Sequence, residues 1–363
     1  MSKMAQDFKA INLSQGFPDF EISSELQDLV TTYMRRGFNQ YAPMPGVPDL
    51  LNSISRKITN TYGINVNPEN EITVTAGATE ALYASIAAMV RPGDEVLILE
   101  PAYDAYVPAI RLNGGIPVLV PMEVPDFTID WQRVALQINK RTRLIIINTP
   151  HNPTGTILRH SDLSALSEIT EKYGIYVLSD EVYEHIIFDD EAHQSVLKYP
   201  GLRERSIAVY SFGKTFHATG WKVGYSVASA PLTTEIKKVH QFLTFSVNTP
   251  VQYALAAFLD NEKNYQGLHK FFQEKRDYFL QQMEASRFEP VPSKGTYFQL
   301  FSYRNYGTTP DREMAEWLTR EVGVAAIPIS VFYQDKTDNH YLRFCFAKDN
   351  QTLQKGARLL CGI

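Results

Sequence analysis

The chain has 363 residues, of which 44% are hydrophobic and 21% charged, a composition typical of a globular protein large enough for two domains. Its 35 basic and 40 acidic residues give a net charge of −5 without a block of like charges, which argues against nucleic acid or an anionic membrane as the main partner. Two cysteines and eight scattered histidines predict neither a disulfide framework nor a metal site.

The N-terminal part of the chain is rich in turn signals up to about residue 50, as in Gln15–Pro18 and Tyr41–Gly46. The first residues lack the apolar core of a secretion signal, and no apolar run reaches the roughly eighteen residues of a membrane span. We therefore expect a cytoplasmic protein without a membrane segment.

After residue 70, runs of β-branched and aliphatic residues alternate with stretches of helical periodicity. The runs predict seven strands: Ile72–Thr75, Glu95–Leu99, Ile116–Pro121, Arg143–Asn148, Ile175–Ser179, Ser206–Ser211 and Val223–Ala228. Between the first five lie the predicted helices Glu80–Val90, Tyr103–Asn113, Asp130–Lys140 and Ser161–Tyr173. This alternation is typical of an α/β fold with a mainly parallel seven-stranded sheet covered by helices on both faces.

The C-terminal part of the chain changes in pattern and predicts a second, smaller α/β domain. Helices are expected from Pro231 to about Ser286, the last being Tyr265–Glu284. They are followed by strands Thr296–Ser302, Val324–Pro328 and Tyr341–Ala347 and helices Asp311–Glu321 and Gln351–Leu360. We expect residues 26–285 to form the large domain, and residues 286–363 to form the small domain together with the N-terminal residues 1–25. A cleft between them is the expected ligand site.

Distinctive residues follow the predicted strands, where open α/β sheets place their chemistry. Small residues at 76–79 open a helix and would present backbone N–H groups to an anion. Tyr103 follows the second strand and could stack on a planar ligand. Asn152 lies between two prolines, which suits a rigidly held amide.

Two further strand ends carry ionisable groups. Asp180 ends a strongly apolar strand, where a buried carboxylate requires a cationic partner, and Tyr183 follows three residues later. Lys214 lies among small and apolar residues, without acidic neighbours, a setting that lowers the pKa of an amine and makes it nucleophilic. Taken together, these groups suit a planar, phosphorylated aldehyde cofactor held as a Schiff base.

The motifs at these positions resemble those of the fold-type I, class I aminotransferases that use pyridoxal 5′-phosphate. The similarity extends over nearly the whole chain and is greatest to the branch of methionine, kynurenine and glutamine aminotransferases. The motifs are Gln15–Phe20, Asn39–Pro43, Thr75–Leu82, Asn148–Pro153, Ser179–Tyr183, Ser211–Phe216, Thr219–Gly224 and Tyr341–Lys348.

The resemblance implies a role for each ring-contacting residue. Lys214 would form the Schiff base and later carry the proton between the substrate α-carbon and the cofactor. Asp180 would pair with the pyridine nitrogen. Asn152 and Tyr183 would hydrogen-bond the ring's 3-oxygen, and Tyr103 would stack on the ring face.

The resemblance also implies a phosphate site and a homodimer whose active sites lie at the subunit interface. The expected phosphate ligands are Gly77, Ala78, Thr79, Ser211 and Lys222. Tyr41 would reach the cofactor from the second subunit.

For the substrate, the resemblance implies that Arg343 binds the α-carboxylate as a bidentate fork. Gly16 would offer backbone to the same group, and Asn152 would also contact the substrate. Phe17 and Phe245 would line an aromatic pocket, which favours thioether or aromatic side chains over acidic ones. We therefore predict ping-pong transamination between methionine or similar L-amino acids and a 2-oxo acid.

Other functions remain open at this stage. A carbon–sulfur β-lyase would use the same cofactor, and kynurenine or glutamine transamination could be the main activity. A non-catalytic regulator of this fold would need a fused DNA-binding domain, for which the chain lacks space. A nicotinamide dehydrogenase would need a Gly-x-Gly-x-x-Gly motif after the first strand, which the sequence lacks.

Overall fold

The computed structural model describes all residues, 1–363. Its strands are β1 (Ile11–Asn12), β2 (Ile72–Thr75), β3 (Glu95–Glu100), β4 (Ile116–Pro121), β5 (Thr142–Asn148), β6 (Tyr176–Asp180), β7 (Ser206–Ser211), β8 (Gly224–Ala228), β9 (Glu289–Pro290), β10 (Phe298–Ser302), β11 (Val324–Ala325), β12 (Ile327–Pro328) and β13 (Tyr341–Cys345). Its α-helices are α1 (Ser2–Asp7), α2 (Ser24–Arg35), α3 (Pro48–Tyr62), α4 (Gly77–Met89), α5 (Tyr106–Leu112), α6 (Trp131–Leu136), α7 (His160–Tyr173), α8 (Pro200–Arg203), α9 (Phe212–Thr215), α10 (Ala230–Leu243), α11 (Thr249–Leu259), α12 (Lys263–Gln266), α13 (Leu268–Met283), α14 (Asp311–Trp317) and α15 (Asn350–Leu360). No helix is both long and apolar enough to cross a membrane.

The seven predicted strands form one sheet in the order β2-β8-β7-β6-β5-β3-β4. Only β8 runs antiparallel to its two neighbours, and all other pairs are parallel. The predicted mainly parallel, seven-stranded α/β fold is thus confirmed. The carboxyl ends of β5, β6 and β7 lie side by side, which brings the residues that follow them together.

Apolar cores cover both faces of this sheet, as the continuous apolar strands predict. Along β5, Leu144 and Ile146 face a core built with helices α4, α5 and α10. Ile145 and Ile147 point to the opposite face, into a larger core that extends into the C-terminal part of the chain. This alternation follows from the two-residue period of a strand.

The C-terminal part forms the expected smaller α/β unit, around the antiparallel sheet β12-β13-β10-β9. Strand β1 pairs in parallel with β11, Ile11 opposite Val324. The N-terminal residues therefore complete this unit, as predicted.

Some element boundaries differ from the sequence prediction. The single strand expected over Val324–Pro328 is two short strands, because β11 pairs with β1 whereas β12 pairs with β13 in another sheet. The helix expected over Tyr265–Glu284 is interrupted at Gly267, between α12 and α13. The helix expected from Tyr103 begins three residues later, which leaves Tyr103 in the loop after β3.

Candidate active site

One cavity of about 470 Å³ lies beyond the carboxyl ends of the large sheet and is closed by residues of the C-terminal unit. It brings most of the predicted site residues together: Gly16, Gly77, Ala78, Thr79, Tyr103, Asn152, Asp180, Tyr183, Ser211, Lys214, Lys222 and Arg343. Their convergence from separate motifs follows from strand order rather than from closeness in the sequence.

Lys214 lies on the single turn α9 that follows β7. Its backbone N–H donates to Ser211 Oγ at 3.3 Å, which fixes the start of the turn. Its Nζ donates to Tyr297 Oη at 2.9 Å and to the Gly16 carbonyl at 3.3 Å. Burial lowers the pKa of the Lys214 amine to about 8. The amine is still mainly charged near pH 7, but its neutral fraction is far larger than that of an ordinary lysine, as a nucleophile or base requires.

Asp180 ends β6 as a buried carboxylate, 4% exposed. It accepts hydrogen bonds from Tyr106 Oη at 2.7 Å and from the Val182 N–H at 3.4 Å. Burial raises the pKa of Asp180 to about 6, although both hydrogen bonds oppose the change. Since it forms no salt bridge within the chain, the carboxylate is suited to pair with a cationic group of a ligand.

Tyr183 and Asn152 supply neutral polar groups to the same cavity. Tyr183 is buried, with its ring edge against Tyr297 at 5.1 Å between centroids. Burial raises its pKa, so the phenol stays protonated and can donate. The Asn152 side-chain oxygen accepts from Arg343 Nη1 at 2.6 Å, and this leaves its amide N–H groups free for a ligand.

The start of helix α4 presents hydrogen-bond donors of the kind that suit an anion. Gly77 has φ +77°, and the N–H groups of residues 77–79 occupy the first turn, where no intrahelical acceptor exists. The Lys222 ammonium donates to Thr79 Oγ1 at 3.3 Å. A Cβ at Gly77 would lie 3.1 Å from Lys222 Nζ, and one at Gly224 would lie 2.7 Å from the Ala78 nitrogen. Both glycines are needed for this close approach.

Arg343 on β13 is a buried cation without a carboxylate partner. Its Nη1 donates to Asn152 and its Nη2 to the Ser14 carbonyl at 3.3 Å, while Nε has no partner. The guanidinium carbon lies 3.9 Å from the ring centroid of Phe298 and 4.9 Å from that of Phe332. The rings hold the guanidinium in place, and its N–H groups that have no partner suit a carboxylate ligand.

Three predicted site residues do not line the cavity. Tyr41 is 85% exposed and packs edge-on against Phe245, 5.5 Å between centroids. Phe17 is partly exposed and lies over the Lys348 ammonium. Tyr41 was expected to act on a second subunit, so its place on the surface of one chain leaves that role a prediction.

The structure also adds residues that the sequence did not assign to the site. Tyr297, on the loop before β10, contacts both Lys214 and Gly16, and no local pattern marks it. Tyr106 holds Asp180, and its three-residue spacing from Tyr103 could have suggested that both face one site.

Comparison with known proteins gives a consistent family assignment. The family model described as aminotransferase class I and II matches residues 9–360. The chain is 51% identical to the methionine aminotransferase of Escherichia coli (strain K12) over 361 residues, 99% of this chain and 94% of that protein. It is 36% identical to the kynurenine–oxoglutarate transaminase of Dictyostelium discoideum over 394 residues, covering 98% and 91% of the two chains. The crystal structure of YbdL from Escherichia coli, described as having a methionine aminotransferase function, matches with a TM-score of 0.98 at 50% identity, covering 100% of this chain and 96% of that one.

Proposed function

This chain belongs to the class I and II aminotransferase family, and on that premise we propose that it transfers the amino group of methionine and similar neutral or aromatic L-amino acids to a 2-oxo acid. The reaction would be ping-pong, with pyridoxal 5′-phosphate as cofactor. The observation that carries this proposal is the meeting of Lys214, Asp180 and Arg343 in one cavity, the last two buried and Lys214 half-buried, all without an opposite charge from the chain.

The cavity fits this cofactor by the chemistry of its unpaired groups. Asp180 offers a buried carboxylate to a protonated ring nitrogen. The N–H groups at the start of α4, with Ser211 and Lys222, offer donors to a phosphate. Tyr103 lies at the cavity wall, where its ring can cover a planar ligand. When bound, pyridoxal phosphate supplies an electron-withdrawing ring that stabilises negative charge at the substrate α-carbon.

The residues of the chain would bind and orient the reactants. Asp180 would hold the protonated ring nitrogen, aided by Tyr106, which donates to its carboxylate. Tyr183 and the Asn152 amide would donate to the ring's 3-oxygen. Lys214 Nζ serves as the covalent anchor and, when released, as the base that removes and returns the α-proton. Its contacts with Tyr297 and Gly16 keep the amine inside the cavity.

Arg343 would bind the substrate α-carboxylate through its unsatisfied fork. With that group held on one side and Lys214 on another, the α-carbon would be positioned for proton transfer. Asn152 contacts Arg343 directly, so it orients the guanidinium as well as the cofactor.

The side-chain end of the cavity supports a neutral substrate. The cations that line the cavity are Lys214, Lys222 and Arg343, and each has a role already. Asp104 adds a second carboxylate, and Ile327, Val331 and Phe332 add apolar surface. A distal carboxylate on the substrate would meet no spare cation from this chain. The likeness to a methionine aminotransferase supports the same choice, and the likeness to a kynurenine transaminase makes kynurenine a second donor to test.

We also propose a homodimer in which Tyr41 reaches the cofactor site of the partner subunit. The exposed pair Tyr41 and Phe245, with the exposed Phe242 three residues before Phe245 in the chain, supports this assignment. Within each chain, we propose residues 26–285 as the large domain and residues 1–25 with 286–363 as the small domain.

The test is a panel of amino donors assayed with purified, cofactor-loaded protein and a 2-oxo acid. We expect methionine and phenylalanine to change the visible absorbance of the bound cofactor and to be turned over far better than aspartate. Efficient turnover of aspartate would contradict the substrate assignment. Release of pyruvate and ammonia from cystathionine without any 2-oxo acid would identify a β-lyase instead.

A further inference from the structure

The turn after β6 presents its side chains to two opposite sides. Asp180 and Tyr183 line the cavity, whereas Glu181 and Glu184 do not. Both glutamates are buried behind the turn. Asp180 and Tyr183 are therefore each followed in the chain by a buried carboxylate that does not line the cavity.

Glu181 is fully satisfied by four hydrogen bonds. One oxygen accepts from Ser179 Oγ at 2.8 Å and from the Val196 N–H at 3.0 Å. The other accepts from Tyr210 Oη at 3.0 Å and from His193 Nε2 at 2.9 Å. These four partners lie on β6 itself, on the loop of His193 and Val196, and on β7, and together they leave this carboxylate one position.

Glu184 forms a buried ion pair with Lys57 of helix α3 and accepts a hydrogen bond from Tyr62. The Lys57 ammonium also donates to Tyr225 Oη at 3.3 Å and lies 5.0 Å from the ring centroid of Tyr210. The pair thus connects the turn to α3 and to strands β7 and β8.

These strands carry other parts of the cofactor site. Tyr210 immediately precedes Ser211, and Tyr225 immediately follows Gly224, the glycine that packs on the start of α4. The Lys57–Glu184 pair is therefore in contact with the turn after β6 and with both strands that border the proposed phosphate site.

We propose that the Lys57–Glu184 pair is a positioning device that keeps Asp180 and Tyr183 directed at the cofactor ring. A buried ion pair adds little stability compared with apolar residues of the same shape, whereas a fully connected polar network fixes geometry. The inference rests on the proposed function, because it concerns the geometry of a bound pyridoxal phosphate.

The experiment uses the holoenzyme and the double variant Lys57→Met/Glu184→Gln, which removes both charges and leaves neither unpaired. We expect a melting temperature of the cofactor-free form close to that of wild type. The dissociation constant of pyridoxal phosphate should rise about tenfold or more, a loss typical of replacing a residue that orients a ligand-binding group. The visible circular dichroism of the bound cofactor, which reports its orientation, should also change.

The control is Glu95→Gln/Arg141→Met, which removes an ion pair between a buried carboxylate and an exposed guanidinium at the amino end of β3, away from the cavity. Unchanged affinity and circular dichroism in the Lys57 double variant, or an equal change in the control, would overturn the proposal.

If the double variant does not fold, Tyr62→Phe removes one hydrogen bond to Glu184 and no charge. In that case an unchanged dissociation constant overturns the proposal. Failure of the wild-type protein to bind the cofactor would instead contradict the proposed function.

Discussion

Asp180 is buried and Lys214 half-buried, and neither has an opposite charge within salt-bridge distance. Burial raises the pKa of Asp180 to about 6 and lowers that of Lys214 to about 8. Near pH 7 each group is therefore mainly charged in an environment that disfavours its charge. Such groups weaken the cofactor-free fold, and a bound ligand with complementary charges relieves the strain.

The Asp180→Asn variant tests how much the charge of Asp180 destabilises the cofactor-free protein. The folded protein binds a proton at Asp180 more tightly than the unfolded chain does, so stability falls as pH rises from about 4 to about 6. We expect the cofactor-free variant to be more stable than wild type at pH 7, by up to about 3 kcal/mol. Below pH 4 the two should be equal. Urea unfolding at both pH values measures this, and a wild type that is the more stable at pH 7 would refute it.

Arg343→Lys tests the carboxylate fork. Lysine keeps the charge but loses the paired donors and the guanidinium's contacts with the rings of Phe298 and Phe332. We expect kcat/KM for methionine to fall roughly 10- to 100-fold, mainly through KM, with unchanged cofactor affinity. Arg276→Lys is the control, since that buried arginine binds Asp189 outside the cavity. It should lower thermal stability and leave KM unchanged.

The sequence alone predicted the charged residues of this site better than their neutral partners. Asp180 and Lys214 are conspicuous because ionisable groups after apolar strands are rare. Tyr297 is one of twenty tyrosines, and only the packing of the C-terminal unit over the large sheet brings it to Lys214. Contacts of this kind depend on tertiary structure, which local patterns do not contain.

At the level of elements, helix α4 has a tightly constrained start. Gly77 has φ +77°, and its missing side chain leaves space for the Lys222 ammonium. The helix and the cation together form the proposed phosphate site, so the local backbone geometry determines whether an anion can bind.

Gly77→Ala tests this arrangement, with Gly63→Ala as a matched control. Gly63 ends α3 with φ +71° and has open space where a Cβ would lie. Both variants should lose about 1 kcal/mol of stability from backbone strain. Only Gly77→Ala should weaken pyridoxal phosphate binding, by about tenfold, because it displaces Lys222. Fluorescence titration measures the affinity, and equal losses in both variants would contradict this role of Gly77.

Strand prediction succeeded where an apolar run forms a strand of one sheet and failed where one run supplies strands to two sheets. The seven strands of the large sheet were predicted nearly to their ends, because each is apolar and bounded by turn residues. The run Val324–Pro328 is equally apolar, but its two halves pair with different strands. Before Ala326, β11 pairs with β1, and after it, β12 pairs with β13. The choice of partner strand depends on the rest of the molecule.

At the level of the whole molecule, one exposed surface remains to be explained. Tyr41 and Phe242 are 85% and 86% exposed, and Phe245 packs against Tyr41. Exposed aromatic residues in contact with each other are typical of an interface. A second copy of the chain would cover them and, in the proposed dimer, would bring Tyr41 to the partner's cofactor.

Phe242→Glu should therefore convert the dimer into monomers, because a charge would be buried at the interface. Light scattering measures the mass, and pyridoxal phosphate binding should weaken as well. Leu136→Glu, at an equally exposed apolar position in α6, should change neither property.

Mixing two inactive variants, Tyr41→Ala and Lys214→Ala, then identifies the subunit in which Tyr41 acts. In a mixed dimer, one site would contain the intact lysine of one chain and the intact tyrosine of the other, so activity should return. No recovery after subunit exchange would place Tyr41 outside the partner's site.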